Sequence, residues 1–206
     1  SPGEVGRVQR IGVMGGTFDP IHHGHLVAAS EVAARFDLDE VVFVPTGQPW
    51  QKPLSEVTTA EHRYLMAVIA TAANPHFTVS RVDIDRSGPT YTVDTLDELQ
   101  AEGHDDIILI LGTDAIADMP TWKEPERIAR LARIAIAPKS GEAAGASSQP
   151  PTGYRESPIE MPFLPISSTL IRGRVAAGLP IRYLVPAAVA RYIHDHALYR
   201  EPSPGV

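Results

Sequence analysis

The chain has 206 residues, of which 43% are hydrophobic, and it carries a formal net charge of −7. A chain of this length commonly forms one domain with a sizeable core, and the acidic balance argues against a nucleic-acid partner, which would require a basic face. Because the sequence holds no cysteine, disulfides, thiolate metal sites and a cysteine nucleophile are excluded. There is no apolar run of about 18 residues and no signal-peptide pattern, so we expect a cytoplasmic protein without a membrane partner.

Predicted strands and helices alternate along the chain. The apolar strand at 10–14 leads through a loop into a helix at 24–36, and the continuous apolar run 41–44 predicts a strand buried on both faces. A Thr-x-x-Glu capping box at 58–61 predicts the start of a helix at 62–73. The further predicted elements are an edge strand at 77–84, a helix at 90–99, a strand at 106–111, a helix at 125–132, a strand at 134–137, a last strand at 159–164, and helices at about 166–177 and 186–196. The alternation predicts an α/β fold, a Rossmann-like doubly wound parallel sheet flanked by helices, with a small C-terminal helical part.

Two ends and one internal stretch depart from this pattern. Residues 1–9 lack a starting Met and hold two glycines and a proline, so we expect a loose N-terminal tail or a non-native remnant. Residues 140–153 are rich in Gly, Ala, Ser, Gln and Pro, which predicts a flexible insertion at about 140–157. We therefore expect one domain over residues 10–200 and a C-terminal tail at 201–206.

The loop after the first strand combines features that handle phosphate. The paired glycines at 15–16 leave backbone N–H groups unshielded, Thr17 offers a hydroxyl, and a helix N-terminus with its positive dipole end follows. His22 and His25 flank Gly24 at the helix start, where an imidazolium can donate to phosphate oxygens and a neutral imidazole still supplies one N–H donor. Each of these residues alone could serve only a turn or a helix cap, but their combination is a much more specific indication of a phosphate-binding loop.

A metal site is the weaker alternative for these histidines. His23 and His25 have the His-x-His spacing with which many metal hydrolases begin. Such enzymes commonly use an eight-stranded barrel of ~250 residues, longer than this chain, and a tight zinc site takes three protein ligands. The remaining histidines are predicted on helices or at strand starts rather than at strand ends. We therefore predict no protein-bound metal.

A second helix N-terminus with anion-binding chemistry lies far along the chain. Ser167, Ser168 and Thr169 are consecutive hydroxyl residues, and Arg172 follows one turn into the predicted helix. Hydroxyls and free N–H groups at such a terminus bind anions, and the arginine adds a fixed charge from the same face. A serine cap beside a solvated arginine is the plainer explanation, but a second phosphate site in a fold that already has one favours the functional explanation.

These two stretches resemble a known family. Gly15 to His25 and Ile166 to Arg172 are similar to the two signatures of the His-x-Gly-His nucleotidyltransferase superfamily. Within it, the blocks Gly88 to Thr92, Gly112 to Asp114 and Pro120 to Trp122 resemble bacterial nicotinate-nucleotide adenylyltransferases. The resemblance implies adenylyl transfer from ATP to nicotinate mononucleotide, which gives nicotinate adenine dinucleotide and pyrophosphate. It implies in-line attack at the α-phosphate without a covalent intermediate, so the protein contributes positioning and charge neutralisation.

The resemblance also implies which residues form the site. The catalytic residues, which would hold and neutralise the reacting phosphates, are His22, His25, Lys52 and Arg172. The residues that would bind ATP are Gly15, Gly16, Thr17, Phe18, Gly24, Gly112, Asp114, Ser167, Ser168 and Thr169. The residues that would bind nicotinate mononucleotide are Thr90, Tyr91, Thr92, Trp122 and Lys123, with Trp122 stacked on the pyridine ring. Mg²⁺ is expected with ATP, bound mainly through phosphates and water.

Other functions stay open at this point. Another phosphorylated acceptor, such as phosphopantetheine or nicotinamide mononucleotide, would keep the same chemistry. A dinucleotide-binding dehydrogenase would need Gly-x-Gly-x-x-Gly after the first strand, a spacing that Gly12 to Gly16 does not supply. A pure binding module would bind ATP without turnover, and Trp122 would then be a core residue. The sequence leaves a homo-oligomer open.

Overall fold

The computed structural model describes residues 6–138, 156–158, 161–162 and 164–200. The strands are β1 Arg10–Gly16, β2 Glu40–Pro45, β3 Gln48–Pro49, β4 Phe77–Val79, β5 Pro89–Thr90, β6 Asp106–Gly112, β7 Arg133–Ala137 and β8 Glu156–Pro158. The α-helices are α1 His23–Phe36, α2 Ala60–Thr71, α3 Val82–Asp85, α4 Thr92–Ala101, α5 Thr113–Asp118, α6 Pro125–Leu131, α7 Ser168–Ala176 and α8 Ala187–Asp195. Two 3₁₀ turns lie at Leu54–Glu56 and Met119–Thr121.

Six strands form one sheet in the order β4-β2-β1-β6-β7-β8, and every neighbouring pair is parallel. From β1 the chain winds outwards through β2 to β4, and from β6 it winds in the other direction through β7 to β8. The winding therefore reverses between β1 and β6, and ligands of open α/β sheets bind at the carboxyl ends of the strands at such a reversal. The predicted Rossmann-like doubly wound sheet is confirmed. Strands β3 and β5 pair separately.

Both faces of the sheet are buried, which explains why its strands are continuous apolar runs. In β6, Ile108 and Ile110 pack on the face covered by α1, α2, α7 and α8, while Ile107, Leu109 and Leu111 pack on the face covered by α4, α5 and α6. Successive side chains of a strand point to opposite faces, so each strand supplies both cores. Helices α7 and α8 form the small C-terminal helical part and pack onto the first of these faces. In the ranges that the structure describes, no helix is both long and apolar enough to cross a membrane.

The predicted strand at 77–84 is wrong beyond Val79. Strand β4 does lie at the sheet edge, but it ends there, and Val82–Asp85 forms the short helix α3. The carboxylate of Asp83 is buried and accepts hydrogen bonds from Thr95 and Arg86. Satisfying a buried charge outweighs the period-2 pattern that suggested a longer strand.

Two further expectations need correction. Helix α2 begins at Ala60, so its N-cap is Thr59, which forms no side-chain capping bond. The predicted capping box from Thr58 does not form, and the N–H of Thr58 donates to Asp19. The last described strand is β8, which overlaps the end of the predicted insertion, and the described residues of the strand predicted at 159–164, namely 161, 162 and 164, lie outside any strand. Within that predicted segment, Met161, Pro162 and Leu164 line a cleft. The rest of the predicted insertion, residues 1–5 and the tail at 201–206 lie outside the described residues.

Candidate active site

Two adjoining clefts open where β1, β2 and β6 end. The first has a volume of about 570 Å³ and the second about 220 Å³. Gly15 at the end of β1 and Lys52 on the loop after β2 line both clefts. A molecule in one cleft and a molecule in the other would therefore meet over Gly15 and beside the Lys52 side chain.

The residues that the sequence predicts divide between these clefts. Besides the shared pair, the first cleft is lined by His22, Gly24, His25, Gly112, Ser167 and Ser168. The second cleft is lined by Gly16, Thr17, Thr90, Tyr91, Thr92, Trp122 and Lys123. Four predicted residues are absent from both linings: Phe18, Asp114, Thr169 and Arg172. The two histidines thus face one cleft, and the five residues expected to bind the nicotinate nucleotide face the other.

The two histidines form one unit at the start of α1. The backbone N–H of His22, the N-cap residue, donates to Nδ1 of His25 at 3.1 Å. Because Nδ1 of His25 accepts this bond, the proton of its neutral ring is on Nε2. The two rings stack with their centroids 3.7 Å apart. The first turn of the helix therefore fixes both the tautomer and the orientation of His25.

Burial keeps both imidazoles neutral at pH 7. It lowers the pKa of His22 to about 4, with a smaller contribution from the nearby His23. Burial, and then the neighbouring His22, lowers the pKa of His25 well below its usual value. Of the two protonation states considered from the sequence, the free protein holds the neutral one, in which each ring offers one N–H donor. The buried Nδ1 of His22 has no hydrogen-bond partner among the described residues.

Gly24 and Phe18 shape the histidine pair rather than contact a ligand through side chains. A Cβ atom at position 24 would lie 2.8 Å from both Cε1 and Nδ1 of His22, so only glycine leaves room for that ring. Phe18 is 2% exposed, and its ring meets His25 edge-on at 5.0 Å between centroids. Its ring is thus buried behind His25, and a role of Phe18 in ATP binding stays a prediction.

The second signature is tied directly to the first loop. Ser167 caps α7, its Oγ accepting from the N–H of Leu170 at 3.0 Å. Ser168 Oγ donates to the carbonyl of Pro20 at 2.8 Å, and Arg172 Nη1 donates to the carbonyl of Asp19 at 2.9 Å. The hydroxyl proton of Ser168 is thus used within the protein, which leaves its oxygen lone pairs and the free N–H groups at the start of α7 for a ligand.

The second cleft has a rim held by hydrogen bonds. Oγ1 of Thr90 accepts from the N–H of Gly47 at 3.1 Å, which joins the loop after β2 to the Gly88 to Thr92 block. Trp122 is partly buried and packs against the core below α4 and α6 while also lining the cleft. The Trp122 ring therefore combines the two alternatives considered from the sequence, because one part packs in the core and another part lines the cleft.

Lys123 is already engaged in the free protein. Its Nζ lies 3.2 Å from both carboxylate oxygens of Asp94 and 5.1 Å from the centroid of the Tyr91 ring. Lys52, by contrast, forms no ion pair or hydrogen bond with the residues that the structure describes, so its ammonium group is available at the junction of the clefts. The two lysines therefore offer different chemistry to a ligand.

Sequence reasoning missed three buried charged residues around these clefts in the described part of the chain: Asp19, Arg63 and Asp83. Asp83 lines the second cleft, and burial raises its pKa to about 6 against the opposing effects of Thr95 and Arg86. Asp19 accepts hydrogen bonds from Thr58 and from the hydroxyl of Tyr199. Only Arg63 carries a usable sequence signal, because it stands one helical turn before Met66 and Ala67 on the apolar face of a predicted helix.

Comparison with known proteins identifies relatives along nearly the whole chain. The profile of the cytidylyltransferase-like family matches residues 13–174. A protein of Leifsonia xyli named "probable nicotinate-nucleotide adenylyltransferase" is 58% identical over 192 residues, which are 93% of this chain and 94% of that protein. A protein of Streptomyces coelicolor with the same name is 57% identical over 188 residues, or 91% and 99% of the two chains.

A solved structure shares the fold. The nicotinic acid mononucleotide adenylyltransferase of Plasmodium falciparum, complexed with NaAD, superposes with a TM-score of 0.77 at 21% identity. The match covers 93% of this chain and 97% of that one. This solved structure shows the fold alone, whereas the family profile and the two relatives above confirm the resemblance stated from the two signatures and the three inner blocks.

Proposed function

Since the chain belongs to the cytidylyltransferase-like family and, within it, to the nicotinate-nucleotide adenylyltransferases, we propose that it transfers the adenylyl group of ATP to nicotinate mononucleotide. The products are nicotinate adenine dinucleotide and pyrophosphate, so the enzyme is a nucleotidyltransferase of NAD biosynthesis. The observation that carries the proposal is the junction of two clefts at Gly15 and Lys52. A triphosphate in the first cleft would present its α-phosphate to a phosphorylated acceptor in the second.

The reaction requires positioning and charge neutralisation from this chain. An oxygen of the acceptor's 5′-phosphate attacks the α-phosphorus in line, the bond to the bridging oxygen of the β-phosphate breaks, and pyrophosphate leaves with that electron pair. The attacking phosphate is already anionic, so no general base is needed. His22, His25 and Lys52 line the first cleft, so the N–H donors of the neutral imidazoles and the lysine ammonium would face the transferring group. Such preorganised donors stabilise charge that develops in the transition state.

Magnesium belongs to the nucleotide in this proposal. Among the described residues, no group of three or more His, Asp or Glu side chains could hold a metal ion. We therefore assign Mg²⁺ to the MgATP substrate, bound through phosphate oxygens and water, where it neutralises the transferring phosphates. The chain's own residues orient those phosphates, with Gly16, Thr17 and the first N–H groups of α7 as additional donors.

We assign the remaining predicted residues by their position. Gly112 ends β6 and Asp114 lies in the first turn of α5, and both would contact the adenosine or its ribose. Trp122 would stack on the pyridine ring, while Thr92 and the backbone N–H of Lys123 would meet the nicotinate carboxylate, because the ammonium of Lys123 is held by Asp94. Arg172 would act on the triphosphate while bracing the carbonyl of Asp19. A cytoplasmic location, a homo-oligomer and the absence of a nucleic-acid partner stay predictions.

The test is an acceptor assay. The protein is incubated with MgATP and one of three acceptors, namely nicotinate mononucleotide, nicotinamide mononucleotide or phosphopantetheine, while pyrophosphate release is followed. We expect the first acceptor to be preferred, and His25→Ala to lower kcat by roughly 10²-fold or more, the scale for losing one transition-state donor. Product with another acceptor but none with nicotinate mononucleotide would refute the substrate assignment. ATP binding without any product would indicate a binding module.

A further inference from the structure

Arg63 on α2 is a buried cation inside the protein, with 1% of its surface exposed. Charged side chains are almost never buried so fully unless they are paired. No carboxylate in the described part of the chain forms an ion pair with it, and its guanidinium donates instead to four backbone carbonyls. The acceptors are Thr58 O at 2.7 Å from Nε, Thr17 O at 2.9 Å and Thr46 O at 2.6 Å from Nη1, and Gly47 O at 3.0 Å from Nη2.

These four carbonyls belong to the two segments that build the junction of the clefts. Thr17 lies in the first phosphate-handling loop. Thr46 and Gly47 begin the loop that carries Lys52, and Thr58 ends it, so Arg63 holds both ends of that loop as well as the first loop. The backbone of Thr58 is also held at its N–H, which donates to the carboxylate of Asp19 at 3.0 Å.

Arginine is the only side chain that can do this from one position. Its planar guanidinium carries five N–H donors that point in fixed, diverging directions, whereas a lysine offers three donors on a single atom. Burial lowers the pKa of Arg63, yet a guanidinium stays protonated in proteins, so all its donors remain available. Burying this charge costs free energy, which the four hydrogen bonds to the guanidinium must offset.

We propose that Arg63 is a positioning residue that fixes the first loop relative to the Lys52 loop. In this arrangement the hydrogen-bond donors of both clefts converge on one phosphate. The inference rests on the proposed function, but it concerns a side chain that lines neither cleft. Each carbonyl that Arg63 holds turns its peptide towards the interior, and this fixes the direction of the flanking loop. In-line phosphoryl-type transfer is sensitive to such placement, since a misplacement of about 1 Å can cost about 10²-fold in rate.

Two substitutions in the full-length protein test the proposal. Arg63→Met keeps much of the buried volume and removes every donor, and Arg63→Lys keeps the charge with fewer donors. We expect Arg63→Met to lower kcat by about 10²-fold with a smaller change in KM for either substrate. Arg63→Lys should show an intermediate loss. Both are assayed below their unfolding temperatures, so that a loss of folded protein is not read as a loss of turnover.

Ile128→Ala is the matched control. Ile128 lies on α6, is fully buried, and packs on the opposite face of the sheet, away from Arg63. This variant lowers the unfolding temperature by creating a cavity, and its kcat should match that of the wild type. Equal kcat values for the Arg63 variants and the wild type would overturn the proposal.

Hydrogen–deuterium exchange supplies a readout that does not depend on turnover. Peptides covering 46–58 and 15–20 should exchange faster in both Arg63 variants than in the wild type and in Ile128→Ala. Unchanged exchange in these peptides would overturn the proposal even if activity fell. Should the wild type fail to use nicotinate mononucleotide, the proposed function fails while the exchange comparison still decides whether Arg63 holds the two loops. If Arg63→Met does not fold, Arg63→Lys carries the same comparison.

Discussion

The Gly24→Ala variant adds one methyl group in the first turn of α1, directly against the ring of His22. The new Cβ would lie 2.8 Å from Cε1 and Nδ1 of that ring. Non-bonded carbon contacts are optimal at about 3.5–4.0 Å, so the ring or the helix start must move by about 0.7–1.2 Å. The His22 ring is 6% exposed and stacks on His25, so it has little free space and its movement is transmitted to the second histidine.

The expected magnitudes separate activity from stability. Overpacking of this kind lowers the free energy of unfolding by about 1–3 kcal/mol. Replacing glycine by alanine inside a helix raises it by about 0.5–1 kcal/mol. The net loss is therefore at most about 2.5 kcal/mol, small enough for a domain with a typical stability of about 5–15 kcal/mol to stay folded. A displacement near 1 Å of two phosphate-facing donors should instead lower kcat by about 10²-fold.

The assay measures kcat for pyrophosphate release together with the thermal unfolding midpoint. Gly173→Ala is the matched control, because Gly173 lies in α7 and a Cβ there would have no atom within 4 Å. This control should keep the wild-type kcat and an equal or higher unfolding midpoint. An unchanged kcat in Gly24→Ala would refute the reasoning, since it would mean that the placement of the His22 ring has no influence on the transfer.

Two predictions concern pH and have opposite signs. The pKa of His22 is about 4 in the folded protein, below its ordinary value of 6.5. Its contribution to the free energy of unfolding is therefore fully present above pH 6.5 and is lost as the pH falls towards 4. This contribution amounts to about 3 kcal/mol. The His22→Asn variant should lack this decrease in the free energy of unfolding between pH 6.5 and pH 4. The pKa of Asp83 is about 6, above its ordinary value of 3.8. Its contribution to the free energy of unfolding is therefore present below pH 3.8 and is lost as the pH rises through 6. This contribution also amounts to about 3 kcal/mol. Asp83→Asn should therefore gain stability relative to the wild type between pH 4 and 7. Because the two effects overlap and oppose each other, each variant should show a steeper pH dependence than the wild type; parallel curves would contradict both assignments.

The sequence by itself determined the features that are local. The apolar runs at 41–44 and 107–111 have the composition of strands buried on both faces, and this alone predicts a parallel sheet between two helical layers. The two signatures, Gly15 to His25 and Ile166 to Arg172, are contiguous, so their residue types and spacing were sufficient to indicate the family. A contiguous motif can be read from the sequence because its chemistry depends on neighbours along the chain.

Only the tertiary structure decided how these pieces meet. Ser168 and Arg172 donate to carbonyls 148 and 153 residues away, and nothing in their spacing indicates that partner. The four carbonyls held by Arg63 come from loops without any periodic pattern. The neutral state of His22 likewise follows from burial, which depends on the packing of the whole domain. Periodicity reports which face of an element is apolar, whereas hydrogen-bond partners and pKa values depend on which distant groups the fold brings together and how far it excludes water.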